Sequence, residues 1–386
     1  MTRAIPTTMK GVQLTGHGGL DCLQYREDIP VPYPGPGDVL VKVTATAKNN
    51  TDRKVREGLY GTNDAEATTS FQMAASSGLT FPRIQGADVV GRVVAVGQGV
   101  AASRLGERGL LDFNIYADDR EDINLTPDYY GHGADGGFAE YVVVPSAQFH
   151  AMPDDLMSDA ELATLGMCSW QTAYHMLTSA SVSDGEQVLI SGASGGVGTA
   201  LIQLCRLMGA VPHAISSPGK AEGLRKLGAE SVIDRSGLDG SQAWLRAVAK
   251  ATGDATIDAV MDLSGGAITN PLLDVMTQRM PARTTYPRLA IAGASAGNIT
   301  EIYWTKIYLF QIRIFGVSHG TRAEAGQLMQ WIRSGALQPV LHGTFRLSEL
   351  RRAETYFAEQ RRTDYLGKIV IVPDDEWEAH GRAYAL

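Results

Sequence analysis

The sequence has few cysteines and no long apolar run. Its three cysteines, Cys22, Cys168 and Cys205, are too few and too far apart for a disulfide framework or a four-cysteine zinc lobe, and they suit a reducing compartment. The start of the chain has no apolar segment of signal-peptide length, and nowhere do about 18 apolar residues follow one another. We therefore expect a cytoplasmic protein that does not span a membrane.

The sequence also lacks an excess of basic residues. It has 34 basic and 42 acidic residues, so its formal net charge is −8, the opposite of the basic footprint of a nucleic-acid-binding protein. A hydrophobic share of 44% in 386 residues is enough for two or three packed domains and excludes a mainly disordered chain. The composition predicts a globular protein whose partner is neither a nucleic acid nor a membrane.

The secondary-structure pattern that the sequence predicts changes twice along the chain. The first 150 residues consist of short β-branched runs bounded by turn residues, such as DVLVKVTATA (Asp38–Ala47). From about residue 155, six strand-like runs alternate with helical stretches, which predicts a doubly wound parallel sheet because parallel strands need crossover connections. The last strand, GKIVIVP (Gly367–Pro373), resembles the first part of the chain again. We therefore predict an α/β domain at 155–333 and a discontinuous, mainly β domain made of 1–154 and 334–386.

A glycine-rich turn marks the predicted cofactor site. In EQVLISGASGGVGTALIQL, the residues Ser194, Gly195, Gly196 and Val197 lie between a strand-like run and a helix with one apolar face. Glycines let a pyrophosphate approach the backbone, and the helix N-terminus supplies N–H donors and a positive dipole. A tight turn between packed elements is the alternative, but the strand before the turn and the helix after it favour dinucleotide binding.

The end of the second strand of this sheet predicts which dinucleotide binds. A site for NAD usually carries Asp or Glu about 20 residues after the glycines, where it holds the ribose 2′-hydroxyl. Here Ser216, Ser217 and Lys220 occupy that region without a carboxylate, and Arg235 follows the third strand. Hydroxyls and cations suit a 2′-phosphate, so we predict NADPH; the alternative is that Lys220 is a solvated charge at a helix start.

Two further loops are predicted to border the ligands, because ligands bind outside the carboxyl ends of the strands in such sheets. Gly293 and Ser295 follow the fifth predicted strand, and Ser318 follows the sixth. We expect these three residues near the nicotinamide carboxamide and the substrate.

Several motifs resemble those of the medium-chain dehydrogenase/reductase superfamily over nearly the whole chain. Besides the glycine turn, the matching motifs are GADVVGRVVAVG (Gly86–Gly97), GGFAEYVVVP (Gly136–Pro145), LRKLGAESVID (Leu224–Asp234) and GKIVIV (Gly367–Val372). The resemblance implies an α/β fold in which a Rossmann domain, a doubly wound parallel sheet, lies between the two parts of a discontinuous GroES-like catalytic domain. It also implies hydride transfer with a nicotinamide cofactor.

The same resemblance allows a test for zinc. Zinc members have a Cys shortly before a Thr/Ser-Asp pair, the His of a Gly-His-Glu motif, and a third ligand before the Rossmann domain. Here those positions hold Asn49, Ala87 and Cys168, and residues 98–150 contain no cysteine for a structural zinc lobe. Because a catalytic zinc needs three protein ligands, we expect no metal and a protein similar to the zinc-free quinone oxidoreductases and enoyl-thioester reductases.

The zinc-free relatives also suggest catalytic residues. The resemblance implies that Asn49 contacts the nicotinamide ribose and that Thr172 packs beside the nicotinamide. Residues 49–60 look like an enoyl reductase pattern in which a tyrosine donates a proton or orients the substrate; this makes Tyr60 a catalytic candidate, with a loop tyrosine as the alternative. The stretch 128–132 either borders the cleft or is a surface loop, and we favour the surface loop.

The leading hypothesis is an NADPH-dependent oxidoreductase that reduces a carbonyl-conjugated C=C bond or a quinone without zinc. An enone, a quinone and an enoyl thioester are all open as substrates. One alternative is a zinc-free alcohol or carbonyl dehydrogenase, and another is a non-catalytic NADPH-binding or redox-sensing protein. The apolar, β-rich run KIYLFQIRIFGV (Lys306–Val317) lies at the predicted sheet edge, where an unpaired strand is prone to aggregation. It predicts a homodimer or homotetramer.

Overall fold

The computed structural model describes residues 4–59, 79–116, 128–253, 255–278, 285–360 and 363–386. Its strands are β1 Thr8–Leu14, β2 Leu23–Pro30, β3 Asp38–Ala47, β4 Arg83–Ile84, β5 Asp88–Val96, β6 Arg108–Leu111, β7 Asn114–Ile115, β8 Asp128–Tyr129, β9 Tyr141–Pro145, β10 Phe149–Ala151, β11 Gln187–Ile190, β12 Val211–Ser216, β13 Ser231–Asp234, β14 Ala259–Asp262, β15 Arg288–Ile291, β16 Arg313–Gly316, β17 Leu341–Arg346 and β18 Lys368–Val372.

Its helices are α1 Asn50–Arg56, α2 Asp159–Thr164, α3 Met167–Ser179, α4 Gly196–Leu207, α5 Ala221–Lys226, α6 Gly240–Thr252, α7 Thr269–Gln278, α8 Trp304–Leu309, α9 Arg322–Arg333, α10 Leu350–Gln360 and α11 Trp377–His380. None of these helices, within the residues described, combines the length and the apolar character that crossing a membrane requires.

The chain divides into two compact units. Unit 1 comprises Met1–Cys168, Thr321–Glu359 and Gly367–Leu386, and unit 2 comprises Ser169–Gly320 and Gln360–Leu366. The contacts within each unit place the two main domain boundaries at residues 168 and 320, whereas the sequence predicted them at residues 154 and 333. The first boundary lies later because α2 packs on β3, β5 and β18. The second lies earlier because α9 contacts unit 1: its Arg333 Nε donates to the carbonyl oxygen of Ala151 at 2.9 Å.

Unit 2 contains one parallel sheet. Its strand order is β13-β12-β11-β14-β15-β16, which is the 3-2-1-4-5-6 order of the Rossmann fold. Val188, Leu189 and Ile190 of β11 are all completely buried, as expected for a central parallel strand covered on both faces. The predicted doubly wound sheet is confirmed, and the glycine turn follows β11, next to the point where the strand order reverses.

Unit 1 is mainly β. Its largest sheet has the order β10-β6-β5-β3-β18-β17, with β9 also pairing with β3, and smaller sheets are formed by β2-β1-β4 and by β7-β8. β18 pairs antiparallel with β3 through Ile371 and Thr46, so the last strand of the chain does return to the first part. The sheet core is apolar and consists of Val39, Val41, Val43, Val89, Val93, Leu111, Tyr130, Val142, Val144 and Phe149. This is the GroES-like domain that the motifs predicted.

Candidate active site

Three strands of unit 1 bring distant polar residues to one place. Asn49 follows β3 and precedes α1, Asp88 begins β5, and Lys368 begins β18. Because β3 lies between β5 and β18 in the sheet, the neighbouring ends of these strands converge; Ala47 of β3, for example, pairs with Asp88. The sheet register therefore assembles a site from residues that are far apart in the sequence.

These residues form a closed hydrogen-bonded cluster, here called the Asp88 cluster: Asn49, Asp88, Lys368 and the backbone N–H of Cys168. Asn49 Nδ2 donates to Asp88 Oδ2 at 2.8 Å, and Lys368 Nζ donates to Asn49 Oδ1 at 2.8 Å. Lys368 also forms an ion pair with Asp88. The Cys168 N–H donates to Asp88 Oδ1 at 2.9 Å. Asp88 is 0% exposed and Lys368 is 2% exposed, so the carboxylate is buried with a positive partner and both of its oxygens accept hydrogen bonds.

The residues at the three ligand positions do not fit a catalytic zinc. Asn49 offers an amide that already joins Asp88 to Lys368, and the Ala87 side chain is a buried methyl group. Burial, followed by the charge of Asp88, raises the pKa of the Cys168 thiol, which disfavours the thiolate that zinc binds. Across the described ranges, no group of three His, Cys, Asp or Glu residues could hold a metal ion.

A second buried carboxyl lies beside the cluster. Asp52 Oδ2 accepts from the Asn49 backbone N–H at 2.7 Å, whereas Asp52 Oδ1 is buried with no hydrogen-bond partner among the described residues. Burial raises the pKa of Asp52 to about 7, and Lys48 is the largest influence in the opposite direction. Lys48 itself pairs with Glu354 at 2.9 Å. Asp52 therefore carries a proton part of the time near neutral pH.

The structure describes only one of two regions of unit 1 for which the sequence made a prediction. Tyr60, the predicted catalytic tyrosine, lies outside the described residues, as does nearly all of the polar segment around it. The stretch 128–132 is not a surface loop, because Tyr129 is 2% exposed and His132 is 0% exposed. The sequence analysis did not predict that these two side chains are buried, because the polar residues around them are typical of a surface loop.

The glycine turn of unit 2 has the geometry of a phosphate cradle. Gly192 has φ +64°, a left-handed conformation that favours glycine. A Cβ on Gly195 would find only the Gly192 carbonyl oxygen within 4 Å, at 3.9 Å, so the space above the turn is open. A Cβ on Gly198 would lie 2.5 Å from Ala193 Cα, which explains how closely α4 approaches the turn. Ser194, Gly195, Gly196 and Val197, all partly buried, surround the start of α4, so the turn fits a pyrophosphate.

The end of β12 fits an additional anion. Ser216 is 4% exposed, and its Oγ is buried with no hydrogen-bond partner in the described part of the chain. Lys220 is also 4% exposed, and its Nζ donates to Ser194 Oγ at 3.3 Å, which joins this loop to the glycine turn. Burial, and then the positive charge of Arg235, lower the pKa of Lys220. A buried ammonium with a cation nearby is a natural position for a phosphate.

The other predicted cofactor residues occupy the expected elements of unit 2. The Arg235 backbone N–H donates to the Ser216 carbonyl oxygen at 3.0 Å, while Ser217 is partly exposed directly after β12. Ser295 Oγ, after β15, donates to the Leu263 carbonyl oxygen at 3.2 Å. The remaining predicted residues are Thr172, partly buried on α3, Gly293, partly buried after β15, and Ser318, exposed after β16.

Asp262 is a residue that the sequence analysis missed. It ends β14, is completely buried, and accepts from Ser191 Oγ at 2.6 Å and from Thr269 Oγ1 at 2.8 Å. Its Oδ1 also accepts from the Ser264 backbone N–H at 2.9 Å. Asp262 therefore orders the loops at the carboxyl ends of β11 and β14. The sequence signal that could have identified Asp262 is an acidic residue at the end of an apolar strand.

Family models match both units of the chain. The alcohol dehydrogenase GroES-like domain matches residues 35–154, and the zinc-binding dehydrogenase domain matches residues 196–334. The second match lies outside the segments that carry Asn49, Ala87 and Cys168. Its description therefore does not bear on whether this chain has a zinc site.

Individual proteins are similar to the chain over most of its length. A crystal structure from Sinorhizobium meliloti 1021, provisionally described as an alcohol dehydrogenase, is 44% identical, covers 96% of this chain and 98% of its own, and superposes with a TM-score of 0.88. Crotonyl-CoA reductase of Streptomyces collinus is 28% identical over 90% of this chain and 82% of its own length. The 2-methylene-furan-3-one reductase of Solanum lycopersicum is 34% identical over 60% of this chain and 53% of its own.

Fold, motifs and similarity lead to the same family. A GroES-like unit and a Rossmann unit with a glycine turn after its first strand are both present, and the similarity to a solved member extends over 96% of the chain. The chain belongs to the medium-chain dehydrogenase/reductase superfamily and is an NAD(P)H-dependent oxidoreductase.

Proposed function

We propose that the protein reduces a carbon–carbon double bond conjugated to a carbonyl, or a quinone, with NADPH and without a metal. The observation that carries this proposal is the Asp88 cluster. In zinc members the positions of Asn49, Ala87 and Cys168 hold the metal, whereas here Asn49 is hydrogen-bonded to the buried ion pair of Asp88 and Lys368. The two relatives whose names specify an enoyl thioester and an enone support the same substrate class.

The proposed substrate class rests on residues at the ligand positions that do not fit a Lewis-acid metal. Reduction of an isolated carbonyl places negative charge on one oxygen, and a metal stabilises that charge strongly. Hydride addition to a conjugated double bond spreads the charge over an enolate, which hydrogen-bond donors can hold. A site without a metal therefore favours the conjugated substrate.

The cofactor proposal rests on the residues of unit 2. When bound, the dihydronicotinamide supplies a hydride. The turn from Ser194 to Val197 would hold the pyrophosphate, while Ser216, Ser217, Lys220 and Arg235 would hold the 2′-phosphate. The assignments of Thr172, Gly293, Ser295 and Ser318 to the nicotinamide end, and of Asn49 to the nicotinamide ribose, are part of the same proposal.

The test is NADPH oxidation with a panel of four probes: pent-3-en-2-one, 9,10-phenanthrenequinone, crotonyl-CoA and hexanal. We expect turnover with one or more of the first three, no stoichiometric zinc by elemental analysis, and no change on treatment with EDTA. A tightly held zinc that is required for turnover would contradict the proposal. Turnover with hexanal alone would favour a carbonyl reductase, and the absence of any turnover would favour a binding or sensing protein.

An alcohol or carbonyl dehydrogenase is the second candidate. It is favoured by the 44% identical relative, whose provisional description is that of an alcohol dehydrogenase. Such an enzyme would have to move a proton to or from the alcohol oxygen with its own side chains, because the residues of the Asp88 cluster do not fit a metal. The hexanal arm of the panel distinguishes it from the first proposal.

We also propose that two copies of the chain associate through the edge of the unit 2 sheet. The run predicted as a strand, Lys306–Val317, is only partly β: its first residues belong to α8, and β16 begins at Arg313. β16 is the edge strand. Exposed apolar side chains lie within this run and just before it: Ile299 (75%), Tyr303 (65%), Trp304 (71%), Tyr308 (64%), Leu309 (67%) and Ile314 (38%). An apolar patch of this kind beside an unpaired edge marks an interface, and a two-fold pairing closes it.

We expect light scattering at micromolar concentration to give at least twice the chain mass of 41.3 kDa. Leu309→Glu would place a charge in the patch and is expected to yield monomers, because the desolvation of an unpaired charge opposes association. Leu207→Glu, at another exposed leucine of unit 2 (42% exposed), is the matched control and is expected to leave the mass unchanged. A wild-type mass of one chain would contradict the proposal.

A further inference from the structure

Two hydroxyl groups of unit 1 form a hydrogen-bonded pair that the preceding account does not use. Thr51 Oγ1 and Tyr129 OH are 2.5 Å apart. Thr51 lies in the first turn of α1, two residues after Asn49, and is partly exposed, whereas Tyr129 is 2% exposed. A hydroxyl at the surface of unit 1 is therefore backed by a buried phenol.

The phenol ring is held by an Asp–His pair. The His132 ring is stacked on the Tyr129 ring, with centroids 5.3 Å apart and an interplanar angle of 23°. His132 Nδ1 lies 2.7 Å from Asp128 Oδ1, which also accepts from the Tyr129 backbone N–H at 2.8 Å. Asp128 thus fixes both aromatic residues.

His132 Nε2 is the feature that a packing role does not explain. The residue is completely buried, and Nε2 has no hydrogen-bond partner among the described residues. A buried polar atom without a partner costs about 1–3 kcal/mol, and a phenylalanine or leucine would fill the same space without that cost.

Either hydroxyl of this pair can donate to the other. A phenol is a stronger acid than an aliphatic alcohol, and when Tyr129 donates to Thr51, the Thr51 O–H is left to donate to another acceptor. The pair therefore presents one donor on the partly exposed side of unit 1, with a more acidic group behind it. This arrangement suits proton transfer to a substrate, because Thr51 can receive a proton from Tyr129 as it gives up its own.

We propose that Tyr129, acting through Thr51, supplies the proton that completes the reduction, with His132 and Asp128 as positioning residues; this inference rests on the proposed function. Hydride addition to the β-carbon leaves an electron pair on the substrate as an enolate. The Thr51 proton forms the new C–H bond at the α-carbon, and the Tyr129 proton moves to the Thr51 oxygen. The resulting phenolate regains a proton from water through the same hydroxyl, so the substrate gains one hydride and one proton.

The test compares kcat with the KM for NADPH in single and double variants, with pent-3-en-2-one as the probe. General acids contribute about 100-fold or more to rate, so Tyr129→Phe and Thr51→Val are each expected to lower kcat about 100-fold and to leave the KM for NADPH unchanged. Thr51→Ser keeps the hydroxyl and is expected to restore most of kcat. The kcat of the double variant is expected to be no lower than that of the less active single variant, because both residues belong to one proton path.

Tyr130→Phe is the matched control, since Tyr130 is a neighbouring buried tyrosine of the apolar sheet core. It is expected to retain the wild-type kcat. The melting temperature of each variant without cofactor distinguishes a loss of folding from a loss of the proton donor. Because Thr51 is partly exposed, Thr51→Val is the variant expected to disturb the core least.

The possible outcomes separate this inference from the proposed function. If the wild type turns over no probe, the proposed function has failed. If the wild type is active and folded Tyr129→Phe keeps kcat within about twofold, Tyr129 is not the proton source. A larger loss in Tyr60→Phe than in Tyr129→Phe would likewise overturn the inference and assign the proton to Tyr60. Additive losses in the double variant would contradict the shared path.

Discussion

Lys368→Met is expected to lower the stability of unit 1 by about 3–5 kcal/mol, because it leaves the carboxylate of Asp88 buried without its positive partner. Asp88 is 0% exposed, and water cannot replace the ammonium that bonds to it and to Asn49. Calorimetry of the protein without cofactor is the measurement. For a unit of this size the change corresponds to a fall in melting temperature of roughly 6–20 °C.

Two further variants identify the cause of this loss. Lys226→Met removes a lysine whose ion pair with Glu222 is largely solvated, and we expect an unchanged melting temperature because exposed pairs contribute little. Adding Asp88→Asn to Lys368→Met removes both buried charges and is expected to regain part of the lost stability. If Lys368→Met melts like the wild type, the cluster is not the buried electrostatic link that we describe.

Lys220→Ala is expected to reduce the preference for NADPH over NADH by about ten- to a hundredfold. A hydrogen bond to a charged group contributes about 1.5–3 kcal/mol, and each tenfold step corresponds to about 1.4 kcal/mol. The wild type is therefore expected to favour NADPH by a similar factor in kcat/KM. The KM for NADPH should rise much more than that for NADH, because NADH has no 2′-phosphate for the ammonium to bind.

Binding without turnover provides an independent readout. Calorimetric titration with adenosine 2′,5′-bisphosphate and with AMP compares ligands that differ in the 2′-phosphate, and Lys220→Ala should weaken only the first. Lys226→Ala is the matched control, because Lys226 is an exposed lysine at the end of α5, the helix that begins directly after Lys220. The remaining preference should depend on Ser216, Ser217 and Arg235. A wild-type preference for NADH, or an unchanged ratio in Lys220→Ala, would contradict the cofactor assignment.

Local features of the sequence were sufficient to place the residues of the proposed cofactor site near one another. A strand, a glycine turn and a helix are contiguous, and Ser216 and Lys220 lie only a few residues apart, so their proximity follows from chain connectivity. The structure joins them further through the contact of Lys220 with Ser194. The secondary structure near the sheet edge was predicted less well: aromatic and β-branched residues indicated a strand over Lys306–Val317, but β-propensity depends on context, and the first residues of the run belong to α8.

The sequence alone determined the family, the two-part organisation, the parallel sheet and the glycine turn between its first strand and the following helix, because each depends on short-range patterns or on motifs in a constant order. Tertiary structure decided the chemistry of unit 1. Asp88 and Lys368 are separated by 280 positions and meet only because β18 and β5 flank β3, while Thr51 and Tyr129 are separated by 78 positions. Burial also placed Tyr129 and His132, which lie in a polar stretch of the sequence, in a hydrogen-bonded cluster with Asp128. Pairing across a sheet and the exclusion of water are properties of the packed chain, and no spacing along the sequence encodes them.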